Sequence, residues 1–152
     1  MTGDTNGEVY RRYANELVHF AAGLVGPDDA PDVVAEAVMR AFTSPRWPEV
    51  DDRRAYLYRC VFNTAHSHHR STLARRARER RASTAQEAAS AASDPDVLAA
   101  VARLSMRQRA AVVLTYWEDL STTQVAKTLG ISEGAVRRHL ARARTRLREV
   151  LA

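Results

Sequence analysis

Arg137, Arg138, Arg142, Arg144, Arg146 and Arg148 share one stretch of chain with Val136, Leu140, Ala143, Leu147 and Leu151. The apolar set recurs at spacings of four, three, four and four, which is the stripe of a single helix. Guanidinium is planar and always charged, and its paired donors fit phosphate as well as guanine O6 and N7. A helix buried along one side and arginine-rich on the other suits the DNA major groove. A second stretch, from Arg53 to Arg81, mixes Tyr56, Tyr58, Phe62, Asn63 and His66 with Arg59, His68, His69, Arg70, Arg75, Arg76, Arg78, Arg80 and Arg81. Aromatic faces stack on unpaired bases while arginine holds phosphate, so this combination suits single-stranded or partly melted DNA. The other reading puts the aromatics in a core and the charges in solvent. Trp47, between Pro45 and Pro48, either packs under its loop or reaches DNA.

The sequence shows no arrangement suited to bond-making chemistry. His66, His68 and His69 are poorly spaced for a metal. Only His66 and His69 share a helix face, and neither cysteine nor carboxylate lies nearby. Walker loop, nucleophile elbow, HExxH and paired CxxC are absent from the sequence, and no enzyme or cofactor is expected. The lone Cys60 excludes an internal disulfide and reads as a buried thiol. No apolar run reaches transmembrane length and the N-terminus is polar and acidic, so the expectation is a cytoplasmic protein without membrane insertion.

The elements that must carry these residues are helical. Apolar residues make up 45% of the 152, Gly and Pro number only 6 and 5, and Ala, Leu and Arg abound. A first helix covers Glu8–Val25 and stops at Gly26-Pro27. Asp29-Ala30-Pro31 starts a second, Asp32–Phe42. The two prolines of Ser44–Pro48 force a loop. Asp51 or Asp52 caps a third helix running toward Arg70 and on toward Arg81, with Tyr56, Leu57, Val61, Phe62 and Ala65 as its apolar side. Ser83–Ser93 is small and polar and reads as a linker. Asp94-Pro95 opens a short helix, Asp96–Arg103. Ser105-Met106-Arg107-Gln108 and Ser121-Thr122-Thr123-Gln124 are capping boxes. They start a helix through Trp117 and the first helix of a helix-turn-helix. Gly130 takes the positive φ that ends that helix, and Ser132 caps the next.

Charge is uneven along this order. The net charge is +5, yet residues 1–52 set four arginines against ten carboxylates. Residues 53–101 set nine against four, and residues 102–152 ten basic side chains against four acids. The basic parts neutralise phosphates. The acidic front is either a solubilising face or a docking face for a basic protein surface.

This arrangement resembles the extracytoplasmic-function (group IV) sigma factors of bacterial RNA polymerase. Asp29–Phe42 is similar to the family's polymerase-binding helix, Arg54–Ala65 to its promoter −10 helix, and Leu104–Leu151 to its region 4. The resemblance implies an all-α protein of two small helical domains joined by a short linker. A σ2-like bundle would cover residues 1–82, the linker 83–95 and a σ4-like helix-turn-helix domain 96–152. It implies that Asp32, Glu36 and Arg40 dock on the β′ clamp helices of core RNA polymerase, with the β flap as a further contact. Asn63 and the loop Thr43–Asp52, which holds Trp47, are the −10 candidates it carries over, and Tyr56, His66 and Arg70 of the aromatic-basic stretch join them. Arg137, Arg138, Ala141 and Arg142 would enter the −35 major groove, with Ser132 and Glu133 at the phosphate-holding start of the helix. Promoter DNA and an anti-sigma factor complete the implied partners. Ala35 stands where the family commonly has Gln, Pro31 where it has an acid, and Ala141 where it has a larger side chain. About ten linker residues span roughly 30 Å when extended, enough to let the domains separate. Two competing readings remain open. One is a stand-alone helix-turn-helix regulator, which predicts tight duplex binding by the free protein. The other is an adaptor that binds protein only.

Overall fold

Side-chain caps explain where most of the described helices begin. The computed structural model describes residues 4–82 and 97–151, arranged as seven α-helices with no strand among the described residues. Helix α1, Asn6–Val25, starts where Thr5 Oγ1 accepts from the Glu8 amide at 3.2 Å. It ends at Gly26, whose φ is 94°. Helix α2, Ala30–Thr43, begins at Asp29 with Pro31 in its first turn. Asp29 makes no cap bond; its carboxylate meets His68 Nε2 at 3.2 Å instead. Helix α3, Arg53–Ala82, is capped by Asp52, whose carboxylate accepts from the Ala55 amide at 3.0 Å. The linker expected at 83–95 and the start expected at Asp96 lie outside the described residues.

The first three rear helices are short, and two of them carry complete capping boxes. Helix α4 is Val97–Ala102, and α5 is Met106–Val112. Both halves of the Ser105/Gln108 capping box form, each at 3.2 Å. The uniform helix expected through Trp117 is corrected here: Val113–Trp117 is a π-helical turn, closed by Glu118 N–H donating to Val113 O at 3.0 Å. The extra residue rotates the downstream chain by about 100° around the axis. Helix α6, Thr122–Leu129, opens with the complete Ser121/Gln124 box and ends at Gly130 with φ 71°. Helix α7, Glu133–Leu151, is the last element.

Helices α1, α2 and α3 pack on one another, α7 packs on both α5 and α6, and α3 also packs on α6 and α1 on α5. The front core is Leu17, Phe20, Leu24, Val34, Leu57, Tyr58 and Val61; the rear core is Leu104, Met106, Leu114, Val125 and Val136. One apolar cluster joins the two. Tyr58, read among the base-stacking aromatics in sequence, is 1% exposed and packs on Phe20 with ring centroids 5.0 Å apart.

Candidate functional site

The rear half presents its arginines as the stripe requires. Val136, Leu140 and Ala143 are buried, which leaves Arg137, Arg138, Ala141 and Arg142 exposed on one side of α7. Ser132 Oγ accepts from the Ala135 amide at 3.0 Å, and Val136 N–H donates to Ser132 O. The Glu133 and Gly134 amides keep the unpaired donors of the first turn, the usual holder of a phosphate. Glu133 binds locally. Its carboxylate accepts from Thr123 Oγ1 at 3.1 Å and lies 3.8 Å from Arg137. It thereby ties α6 to α7 and steers the first arginine.

His139 sits between this face and the core. Its Nδ1 meets no hydrogen-bond partner among the described residues. Burial lowers its pKa, and Arg107, Arg142 and Arg138 lower it further by repulsion. Uncompensated positive charge therefore already surrounds this face.

The front half offers two faces. On α2, Val33, Val34, Ala37 and Val38 are buried, so Asp32, Ala35, Glu36, Met39 and Arg40 line the outer side. Glu36 and Arg40 form an i,i+4 ion pair at 2.9 Å, while Asp32 stands free of the ion pairs of the described residues. Met39 is 64% exposed at the centre of this face. Sequence reasoning missed it, although an apolar residue flanked by acids on an amphipathic helix was a readable signal.

On α3, Tyr56, Asn63, His66 and Arg70 fall on one stripe. Asn63 and Arg70 are exposed, and Tyr56 and His66 are half-buried. Tyr56 donates to Ser44 Oγ at 3.3 Å, and His66 stacks on Phe62 at 5.9 Å with rings 7° from parallel. Trp47 is a correction. It is 4% exposed, its ring lies 5.0 Å from Phe42 and 5.9 Å from Tyr56, and its Nε1 donates to Asn6 Oδ1 at 2.9 Å. Arg53 covers it with the guanidinium 4.8 Å from the ring centre. In this conformation the indole is core, not a DNA contact. Arg59, one of the cations of the Arg53–Arg81 stretch, fills the gap in the stripe, and its side chain reaches α6.

The three histidines diverge. His66 stacks on Phe62, His68 meets Asp29, and His69, its pKa lowered by burial and then by Arg109, faces the junction of the halves. Among the described residues no three His, Cys, Asp or Glu side chains gather as a metal site. Burial pushes the half-buried Cys60 thiol up in pKa, away from reactivity. No helix of the described residues is long and apolar enough to cross a membrane.

Comparison with known proteins covers both halves. Residues 9–83 match the family described as Sigma-70 region 2, and residues 96–147 match Sigma-70, region 4. The chain is 34% identical over 151 residues to the RNA polymerase sigma-E factor of Streptomyces antibioticus, covering 95% of this chain and 83% of that one. It is 32% identical over 145 residues to the ECF RNA polymerase sigma factor SigL of Mycobacterium tuberculosis, covering 87% and 80%. Among solved structures it is similar to the sigma factor RpoE of Bartonella quintana, seen in complex with the anti-sigma factor NepR. That match has a TM-score of 0.67, 25% identity and 95% coverage of both chains. The fold also matches CnrH in complex with the cytosolic domain of CnrY, with a TM-score of 0.65 at 24% identity, covering 96% of this chain and 86% of that one.

Proposed function

The chain belongs to the extracytoplasmic-function group of the sigma-70 family, alternative sigma factors that serve transcription initiation, and from that premise we propose how its surfaces divide the work. Residues 1–82 bind core RNA polymerase and open the −10 element, and residues 96–152 read the −35 element. The outer face of α2 docks on a basic helical surface of the polymerase. Asp32 and Glu36 supply charge, Arg40 is positioned through Glu36, and Met39 supplies the apolar centre. Charge complementarity of this kind sets register and encounter rate, and a buried apolar centre supplies the affinity.

Asn63, Tyr56, His66 and Arg70 hold a displaced single strand at −10. Arg137, Arg138 and Arg142 enter the −35 major groove, and the Glu133 and Gly134 amides fix the register on phosphate. Ala141 leaves room beside Arg142 and makes no polar base contact. We assign the chain no catalytic step and place its action in the cytoplasm, on polymerase and promoter. An anti-sigma protein controls it, as the RpoE relative is held by NepR.

The carrying observation is that one chain exposes both an acidic, methionine-centred helix face and an arginine-lined recognition face, within the two matched regions. The test is pull-down and run-off transcription with purified core polymerase on a pool of genomic promoters. Start sites that depend on this protein are expected. Absence of core binding together with tight duplex binding by the free protein would make it a stand-alone regulator. Asp32→Arg is expected to abolish core binding and leave the fold intact, since like-charge juxtaposition at an interface costs several kcal/mol (roughly 2 or more). Retained affinity would remove α2 from the interface.

A further inference from the structure

A cavity of about 480 Å³ opens where the C-terminal end of α1, the middle of α3 and the α4–α5 corner meet. That volume suits one small molecule. Ala22 and Val25 of α1, Val101 of α4, and Val113 and Trp117 of the π turn supply apolar walls. Trp117 is 45% exposed, so it stands at the mouth.

One helix carries the polar side. His69, Thr72 and Arg76 recur at spacings of three and four, which sets them in a row along one face of α3, and all three line the cavity. At about 100° per residue, this row lies about 120° around the helix from Tyr56, Asn63, His66 and Arg70, so it is a separate surface. The row runs outward, from half-buried His69 to exposed Arg76.

Charge in the cavity is one-sided. His19, His68, His69, Arg76 and Arg109 line it together with a single carboxylate, Asp29. Asp29 is taken by His68 at 3.2 Å, and His19 is taken by Glu118 at 3.2 Å. Arg109 is 5% exposed and held by the carbonyls of Leu24, Val101, Ala102 and Leu104, so it lends positive charge from a fixed place. Burial lowers the His69 pKa, and Arg109, His66, Arg76 and His68 lower it further by repulsion. Arg76 pairs with no carboxylate among the described residues. A cation would meet repulsion here. A wholly polar anion would leave the apolar walls wet, and a neutral apolar molecule would leave the charge unanswered.

We propose that this cavity binds a small amphipathic carboxylate, with its anionic end along His69, Thr72 and Arg76 and its hydrocarbon or aromatic body between Ala22, Val113 and Trp117. The Arg76 fork takes the carboxylate through paired donors, and the Thr72 hydroxyl and the His69 ring add a donor each. Apolar area removed from water along α1 and the π turn supplies the rest of the affinity.

The test titrates the full chain with 4-phenylbutyrate and with octanoate, each against its neutral amide. Calorimetry gives the affinities and tryptophan fluorescence gives the place. Trp117 reports from the mouth, while Trp47 is packed on Phe42 and Tyr56 and should stay silent. Saturable binding of at least one carboxylate is expected, with a fluorescence change that Trp117→Phe removes. The matching amide should bind about tenfold more weakly. Arg76→Gln removes an exposed charge and should weaken the carboxylate about tenfold while leaving the amide unchanged. Ala22→Leu, which keeps a good helix former and fills the apolar end, should abolish binding of both, with thermal unfolding checking that the variant folds. At about ten times Kd the carboxylate should raise the wild-type midpoint by about 3–5 °C. No saturable binding of either carboxylate up to about 10 mM overturns the site. An amide bound as tightly as its acid overturns the anion assignment. Undiminished carboxylate affinity in Arg76→Gln or in a folded Ala22→Leu places the ligand elsewhere and overturns it as well.

Discussion

The two halves are built from the same helical material, yet they store their structure in different places. In the rear half the instructions are local. Ser105 and Gln108, Ser121 and Gln124, Ser132 and the Ala135 amide all act across three residues, and Gly130 ends α6 through its own φ of 71°. In the front half the decisive contacts are distant. Trp47 is fixed by Asn6, 41 residues away, and Tyr58 by Phe20 and by Glu118, 60 residues away. The functional faces differ in step. The rear presents a row of exposed arginines, while the front presents an acidic helix with an exposed methionine. A surface meant for phosphate can be rigid and locally determined. One meant for another protein draws on the packing of a whole bundle.

Trp47→Ala tests this contrast most severely. Removing a buried tryptophan held by two rings, a cation and a hydrogen bond should destabilise the front half by about 3–5 kcal/mol. Urea unfolding of the variant checks it. Unchanged stability with weakened promoter melting would restore Trp47 to the DNA surface and remove the distinction between a core-bound and a surface-bound aromatic. A smaller effect is expected at the rear from Arg142→Ala, about 1–3 kcal/mol at a matched −35 element if the guanidinium reads a base. Titration against matched and scrambled duplexes separates base from backbone. An equal loss on every sequence makes Arg142 a phosphate contact. Ser121→Ala is milder still. It removes one cap and should cost the rear about 1 kcal/mol, leaving the front's hydrogen-exchange protection unchanged unless the shared core couples the halves.

The same contrast explains what the sequence made legible. Helix starts at Asp52, Ser105, Ser121 and Ser132 could be read because their signals lie within one turn of the events they govern. The exposed faces of α2 and α7 could be read because burial of one side of a helix dictates the other. Arg109 could not: it sits just after a capping box in a basic segment and looks like any solvated arginine, yet it reaches a carbonyl 85 residues away. Nor could the π turn at Val113–Trp117, since nothing in a run of Val, Leu and aromatics distinguishes a wide turn from an ordinary one. Gly23 reads as a weak point in α1 until Val113 is seen against it. In each case the missing information was a partner from the other half.

His139 gives the smallest effect and separates the rear's stability from its binding. Burial and three arginines hold its pKa below the ordinary 6.5, so the folded rear keeps it neutral where the unfolded chain already takes up a proton. Its contribution to stability is therefore present above about pH 6.5 and is lost as pH falls toward the depressed folded value. DNA acts in the opposite sense. Phosphates against α7 offset the repulsion from Arg107, Arg138 and Arg142, raise the His139 pKa and make proton uptake part of binding. Lowering pH from 7.5 to 6 should thus weaken the fold slightly while tightening duplex binding slightly. His139→Gln should flatten both trends. Chemical denaturation and duplex titration at the two pH values measure them side by side. A wild-type affinity that does not rise on acidification would place His139 outside the field of the bound phosphates, and the rear would then bind through its exposed arginines alone.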